Sequence, residues 1–276
     1  MPLRVLFLGE IVSKPGIFCI KTNLQALRSK YKPDLVIANG DGATGGFGIG
    51  RTHAIYLRKL GIDILTGGDQ TYFKKDMVAG IDQVYHMLRP ANYPPGNPGR
   101  GWRTIMAGNS KVGVISLMGQ AGFTRTHLSN PFTFLPEIIK RLQAETPYII
   151  LDFHSVTTAE KMTMAMLADG KLSAVIGTGL RVLMAEAQVL PGGTAILLDA
   201  GRTGSSQSVI GFDPKPEIQQ FMTAIPERST DCWEKLEIQG CVIEIGDDGK
   251  ATGIEAFRYP CADRPDFEPR DPEDQD

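Results

Sequence analysis

The sequence alternates short apolar, β-branched runs with amphipathic stretches, and this alternation limits the fold more than any other feature. Strand-like runs are predicted at residues 3–8, 35–38, 62–65, 112–117, 148–152, 173–176 and 194–198. Helical spacing of apolar residues is found at 18–29, 53–60, 76–85 and 134–143. Strands that alternate with helices in this way build stacked α and β layers with much of the sheet parallel. The sequence therefore predicts an α/β protein.

The C-terminal part of the chain has a different pattern. Two runs, 236–245 and 251–259, flank a turn that contains Asp248 and Gly249, and such a turn is typical of a β-hairpin. We expect this hairpin to close a sheet with antiparallel strands. No internal repeat or linker divides the chain, so residues 1–259 are predicted to form one domain. Residues 260–276 hold seven acidic residues, two arginines and several prolines, and we expect a flexible acidic tail there.

Composition excludes several classes of protein. The 276 residues are 42% hydrophobic, which is ordinary for a folded chain, and no apolar run approaches the ~20 residues of a membrane helix. The net charge of -2 leaves no basic patch typical of nucleic-acid binding. The four cysteines show no C-x-x-C pairing, which favours a reducing, cytoplasmic compartment.

Polar side chains follow the predicted strands where each strand ends. Glu10 comes after the first strand, Asp41 after the second and Asp69 after the third, while Asp152 and His154 end a later one. Any one of these acids could be a helix cap or a turn residue. Because ligands bind at the carboxyl ends of strands in such folds, the repetition favours a site, and carboxylates with a histidine are metal ligands.

Six motifs stand in order along the chain: Gly9-Glu10, Asn39-Gly40-Asp41, Gly67-Gly68-Asp69-Gln70-Thr71-Tyr72, Arg89-Pro90-Ala91-Asn92-Tyr93-Pro94, Asp152-Phe153-His154 and Gly177-Thr178. With these motifs the chain resembles the YmdB-like family of calcineurin-like metallophosphoesterases. The resemblance extends over nearly all of residues 3–258. It implies a four-layer α/β sandwich that holds two metal ions and hydrolyses phosphodiesters, with cyclic nucleotides among the proposed substrates. Self-association into a homo-oligomer is a further expectation from the resemblance.

Several functional positions differ from the family pattern. Glu10 stands where the family has Asp, and Gly42 replaces an Asn ligand. Gln70 stands at the position of the catalytic histidine, and an amide has no titratable proton to give a leaving group. Gly179 and Arg181 replace two histidine ligands, so that His154 is the one histidine that matches the family pattern.

These differences give two hypotheses. The favoured one is a catalytically inactive binding or scaffolding protein that carries no cofactor and binds a protein or a phosphate-bearing small molecule. In it, the guanidinium of Arg181 replaces a metal ion as the counter-charge of the carboxylates. The alternative is a weak or altered metal-dependent phosphodiesterase that acts on cyclic nucleotides or related phosphodiesters. It would hold one Mn, Fe, Zn or Mg ion on Asp41, Asp69 and His154, with Glu10 as a further candidate ligand.

Two other segments carry expectations. The glycine-rich stretch 45–50 does not fit a phosphate-binding fingerprint and is expected to form a loop at the rim of the site. Glu160 and Lys161 are expected on the solvated face of a helix.

Overall fold

The computed structural model describes residues 2–123 and 128–262. The predicted tail beyond residue 262 therefore lies outside the described residues. Six α-helices and a 3₁₀ turn at Ile81–Gln83 are found in the described part of the chain. The helices are α1 (Ser13–Tyr31), α2 (Arg51–Leu60), α3 (Lys75–Gly80), α4 (Pro131–Gln143), α5 (Thr158–Ala168) and α6 (Pro214–Thr223).

The strands of the described residues form two sheets. In chain order they are β1 (Leu3–Leu8), β2 (Glu10–Ile11), β3 (Leu35–Asn39), β4 (Ile64–Thr66), β5 (Met87–Leu88), β6 (Trp102–Ala107), β7 (Ser110–Met118), β8 (Tyr148–His154), β9 (Ala174–Thr178), β10 (Gln188–Val189), β11 (Ala195–Leu197), β12 (Arg202–Ser205), β13 (Leu236–Ile245) and β14 (Ala251–Pro260).

The first sheet has the order β2-β12-β13-β1-β3-β4-β5, with β14 paired to β13. Strands β1, β3, β4 and β5 run parallel, and Val5 lies opposite Leu35 in this register. Strand β13 is antiparallel to β1, β12 and β14. The predicted hairpin is therefore present, with β14 along one side of β13 and with β1 and β12 along the other.

The second sheet has the order β10-β11-β9-β8-β7-β6. Its inner strands β11, β9, β8 and β7 run parallel, and the two edge strands are antiparallel to their neighbours. Each inner strand of five or more residues is buried nearly throughout, as is usual for parallel strands covered on both faces.

Three apolar cores define the layers. The core between the two sheets contains Phe7, Ile37, Val114 and Ile176. A second core packs α1 and α2 on the outer face of the first sheet, and a third packs α4 and α5 on the outer face of the second. On α1, the buried Ile20, Leu24 and Leu27 recur at i, i+4 and i+7 and form its inward stripe. The order helix, sheet, sheet, helix confirms the predicted four-layer α/β sandwich.

Glycine and proline fix several helix ends. Helix α2 ends at Gly61, whose φ of 115° lies in the left-handed region that terminates many helices. Helix α4 starts with Pro131 after Asn130, whose side chain accepts from the Phe132 N–H at 2.9 Å. Among the described residues, no helix combines the length and the apolar character needed to cross a bilayer.

Candidate metal site

Strand ends from both sheets meet at one place. Asp41 lies two residues after β3, Asp69 three residues after β4, and His154 is the last residue of β8. One ligand atom from each lies within 4.8 Å of the others. The His154 Nε2 atom is 3.1 Å from Oδ1 of Asp69 and 4.0 Å from Oδ2 of Asp41. The structure thus brings together three of the four residues predicted as metal ligands.

Backbone donors hold the carboxylate of Asp41. Its Oδ1 accepts from the Gly68 N–H at 2.6 Å, and its Oδ2 accepts from the Gln70 N–H at 3.0 Å. Burial raises the pKa of Asp41 to about 7, and the charges of Asp69 and Glu10 act in the same direction, while His154 opposes them. A cation at this place would therefore relieve repulsion between buried carboxylates.

Thr178, the last residue of β9, orients the imidazole of His154. The Thr178 hydroxyl donates to Oδ1 of Asp152 at 2.7 Å and lies 3.1 Å from Nδ1 of His154. Since that hydroxyl proton is used on Asp152, the network assigns one imidazole proton to Nδ1, and Nε2 becomes a ligand atom once a cation displaces the proton that it shares with Asp69. Burial opposes the charged imidazolium, yet the hydrogen bond to Asp69 and the charge of Asp41 raise the pKa of His154 to about 9. The same negative charges would favour a divalent cation.

Asp152 is part of the support and not of the ligand group. Its buried carboxylate accepts from Asn39 Nδ2 at 3.0 Å and also from the Thr66 hydroxyl. The side chains that it binds come from β3, β4 and β9. One carboxylate, two residues before His154 in β8, therefore connects the two sheets through hydrogen bonds.

The donor set suits a divalent ion. Two carboxylates and one imidazole match the preferences of Mn, Fe and Zn, and three protein ligands leave coordination positions for water or substrate. Glycine at position 68 leaves room for the imidazole ring of His154, because a Cβ atom there would lie 2.4 Å from Nε2 of His154. The three residues therefore fit one divalent ion.

Glu10 does not join this group. Its Oε1 accepts from Nε of Arg181 at 2.9 Å and lies 2.7 Å from Nη2, and both side chains are buried. Burial opposes the charge of Arg181, but Glu10, Asp41 and Asp69 together raise its pKa. Arg181 thus pairs with one of these carboxylates, that of Glu10. Its role as a counter-charge in place of a metal ion and the assignment of Glu10 as a metal ligand both stay predictions.

The backbone of Gln70 contacts the candidate metal site. Its N–H binds Asp41, and its side-chain Oε1 accepts from the Gly48 N–H at 3.2 Å. The side chain is therefore bound to the glycine-rich loop that adjoins the site. This loop reaches the site again at Gly46, whose carbonyl accepts from Arg181 Nη2 at 3.0 Å.

The expected solvated helix face is wrong for Lys161, while Glu160 is half-buried and accepts from the Ser155 hydroxyl at 2.6 Å. Lys161 is 1% exposed, and its Nζ lies 2.6 Å from Oδ2 of Asp199. The same Asp199 oxygen accepts from the Leu180 N–H at 2.9 Å, so the pair supports the loop that carries Arg181. The signal was present in the sequence, because Lys161 shares its helix face with residues at i+3, i+4 and i+7 that are all apolar: Met164, Ala165 and Ala168.

Comparison with known proteins reveals close relatives. The chain is 38% identical over 250 residues to a Bacillus subtilis protein named 2′,3′-cyclic-nucleotide 2′-phosphodiesterase, and the alignment covers 90% of this chain and 93% of that protein. A Mycoplasma pneumoniae structure described as a novel phosphatase superposes with a TM-score of 0.88 at 30% identity and covers 94% of both chains. A hypothetical protein from Thermus thermophilus gives a TM-score of 0.86 at 30% identity, over 94% of this chain and 99% of that one.

The prediction of a catalytically inactive binding or scaffolding protein is wrong. It is overturned by the relatives named as a phosphodiesterase and a phosphatase, which match almost the whole chain. Although several histidines of the family pattern are replaced in this chain, Asp41, Asp69 and His154 still converge and form a ligand group that can hold an ion.

The match extends to the family level. The family model described as YmdB-like protein matches residues 6–257, which include every strand end that contributes to the site. The fold, the order of the motifs and the relatives agree with this match, and the chain therefore belongs to the YmdB-like protein family.

Proposed function

We propose that the protein is a metal-dependent phosphodiesterase that hydrolyses 2′,3′-cyclic nucleotides or related small phosphodiesters with one divalent ion. The observation that carries the proposal is the convergence of Asp41, Asp69 and His154 at the strand ends, with ligand atoms within 4.8 Å of one another. Mn, Fe and Zn suit this mixed oxygen and nitrogen set, and Mg is a further candidate.

The residues of the site have separate tasks in this proposal. Asp41, Asp69 and His154 hold the ion, and the N–H groups of Gly68 and Gln70 fix the direction of the Asp41 carboxylate. When bound, a divalent ion supplies Lewis-acid activation of a phosphoryl oxygen and a lowered pKa of water. Thr178 keeps a proton of His154 on Nδ1, so that Nε2 would be the nitrogen that binds the ion.

The substrate class is proposed from the relatives. The Bacillus subtilis relative carries a name that specifies 2′,3′-cyclic nucleotides, and its alignment covers 90% of this chain. A small phosphate-bearing molecule is also the kind of partner that an open coordination position can receive. A substrate screen would therefore start with 2′,3′-cyclic AMP and an aryl phosphodiester.

The test combines metal content with turnover. Purified protein loaded separately with Mn²⁺, Fe²⁺, Zn²⁺ or Mg²⁺ is analysed by elemental analysis and assayed with both substrates. We expect about one ion per chain and a loss of turnover of about 100-fold or more in His154→Ala. His86→Ala is the matched control, because His86 is a partly buried histidine whose Nε2 contacts the Ala54 carbonyl away from the site. Absence of a bound divalent ion, or turnover that survives in His154→Ala, would contradict the proposal.

A further inference from the structure

The loop after β9 delivers a buried guanidinium to the site. Arg181 has a φ of 57°, in the left-handed region that non-glycine residues seldom adopt. Its backbone is nevertheless fixed, because its carbonyl accepts from Nη1 of Arg202 at 2.9 Å and the preceding Leu180 N–H binds Asp199. Strained backbone conformations that the surrounding structure holds in place cluster at functional sites.

The guanidinium has defined partners and remaining donor capacity. Nε and Nη2 bind Glu10, and Nη2 also donates to the Gly46 carbonyl at 3.0 Å. Among the described residues, Nη1 contacts only the Ile210 carbonyl, at 3.5 Å. Since Nη1 carries two hydrogens, at least one N–H is left for a further acceptor. The ring of Phe212, whose centroid is 5.7 Å from Cζ, helps to keep the plane of the group in place.

The guanidinium lies against Gly42, the residue that follows the proposed ligand Asp41. A Cβ atom built at Gly42, the residue after Asp41, would lie 2.8 Å from Oε1 of Glu10 and 2.9 Å from Nη2 of Arg181. A Cβ atom at Gly179 would lie 3.2 Å from Nε2 of His154. The segment that carries Asp41 therefore contacts Arg181, and the segment that carries Arg181 contacts His154. A glycine lies at each of these two contacts.

The net charge of the site indicates a role for the Arg181 guanidinium. Three carboxylates, those of Glu10, Asp41 and Asp69, surround the site. One divalent ion alone would leave the site with a net negative charge, which repels a phosphodiester anion. The permanent charge of Arg181 neutralises that excess, and a planar guanidinium is well suited to phosphoryl oxygens.

From these observations we propose that Arg181 is a catalytic residue of this phosphodiesterase. Its guanidinium binds a non-bridging phosphoryl oxygen of the substrate and stabilises the charge that develops there in the transition state. The site then uses one metal ion and one arginine as its two positive groups. This inference rests on the proposed function, and it adds the group that recognises the phosphate.

The first test is Arg181→Gly with chemical rescue. Glycine accepts the left-handed backbone at this position and leaves a space of the size of the lost side chain. We expect kcat for an aryl phosphodiester to fall about 100-fold or more, and added guanidinium chloride to restore part of it. Arg28→Ala is the control, because Arg28 also pairs with a carboxylate, Asp63, but on the outer layer of the fold. Its kcat should equal that of the wild type and should not increase with guanidinium.

The second test needs no turnover. Isothermal titration of the Mn²⁺-loaded protein with inorganic phosphate should show an affinity at least about 10-fold lower in Arg181→Gly than in the wild type. If the single variant does not fold, Glu10→Gln/Arg181→Met removes both charges and leaves no unpaired carboxylate, and it should show the same loss. Unchanged phosphate affinity in either folded variant would overturn the role of Arg181. A wild type that binds phosphate through Arg181 but hydrolyses no diester would instead overturn the proposed function alone.

Discussion

At the scale of single residues, the two nitrogens of His154 are held in different ways. Nε2 faces the carboxylates of Asp41 and Asp69, and Nδ1 lies against the Thr178 hydroxyl. Because the Thr178 proton is directed at Asp152, the hydroxyl offers Nδ1 an acceptor. Partners of this kind fix the tautomer of a ligand and increase its basicity. The contribution of Thr178 can be measured without altering any ligand.

Thr178→Val should weaken metal binding by about 10- to 100-fold, since valine keeps the shape of threonine and removes the acceptor of the Nδ1 proton. The affinity for Mn²⁺ is measured by isothermal titration calorimetry. Thr178→Ser is the control, because it keeps the hydroxyl, and its affinity should stay close to that of the wild type. Equal affinities of the valine variant and the wild type would show that Thr178 does not orient the ligand.

A substitution at position 70 can test whether a side chain there protonates the leaving group. The backbone N–H of Gln70 already binds Asp41, so a side chain at this position starts beside the site. An amide cannot transfer a proton, whereas a positioned histidine can contribute about 100-fold or more to the departure of an alkoxide. We expect Gln70→His to increase kcat for an alkyl phosphodiester and to leave an aryl phosphodiester, whose leaving group needs no proton, nearly unchanged. Equal increases for both substrates would contradict this explanation.

Residue types alone misled the interpretation at Lys161. Lysine is usually exposed, which favoured a solvated helix face. Its apolar neighbours on that face and the buried Asp199 override this preference, and the ion pair is closed from solvent. Since Asp199 lies 38 residues further along the chain, its place opposite Lys161 depends on tertiary structure that local spacing does not reveal.

At the scale of elements, strands made of dense apolar or β-branched runs can be predicted, whereas β6 (Trp102–Ala107) and β12, whose sequences mix polar and apolar residues, cannot. The runs at 3–8 and 236–245 agree with β1 and β13 at both ends, because apolar and β-branched residues dominate them. Strand β12 (Arg202–Ser205) was missed, since its sequence, RTGS, has no apolar period. It becomes a strand through pairing with β13 and β2, a contact between distant parts of the chain. The carboxyl-end positions of Asp41, Asp69 and His154 could still be predicted, because the strands before them are apolar.

The buried ion pair of Lys161 and Asp199 joins helix α5 to the segment between β11 and β12. Lys161→Met should lower the free energy of unfolding by about 3–5 kcal/mol, because it leaves the Asp199 carboxylate buried without its cation. Burial raises the pKa of Asp199, and Lys161 and the two backbone donors oppose this rise because they stabilise the charged carboxylate. Urea unfolding followed by circular dichroism measures the loss.

A matched double variant separates charge from packing. Lys161→Met/Asp199→Asn removes both charges, so it should regain a large part of the stability that the single variant loses. A single variant that unfolds at the same urea concentration as the wild type would show that the pair contributes little to stability.

At the scale of the whole molecule, the two sheets form one site only when they are packed together. Asp41 and Asp69 come from the first sheet, and His154 comes from the second. Because a motif comparison treats these positions as independent, the differences at Gln70 and Arg181 predict a loss of function that the assembled site does not support. The four-layer sandwich could be predicted from the resemblance, but the group that it assembles depends on distances between layers. Self-association and a cytoplasmic location stay predictions.

Because the ligands come from both sheets, an ion bound to them should stabilise the packed state as a whole. The unfolded chain does not hold Asp41, Asp69 and His154 together, so binding favours the native state by mass action. Free Mn²⁺ at 100 times its dissociation constant should contribute about 2.7 kcal/mol, which corresponds to a rise of about 5–10 °C in Tm for a chain of this size. Differential scanning calorimetry with Mn²⁺ and with EDTA measures the shift. His154→Ala should keep the EDTA value of its own Tm when Mn²⁺ is added, because it removes the one ligand that the second sheet supplies. An equal Mn²⁺-dependent rise in that variant would place the ion elsewhere on the protein.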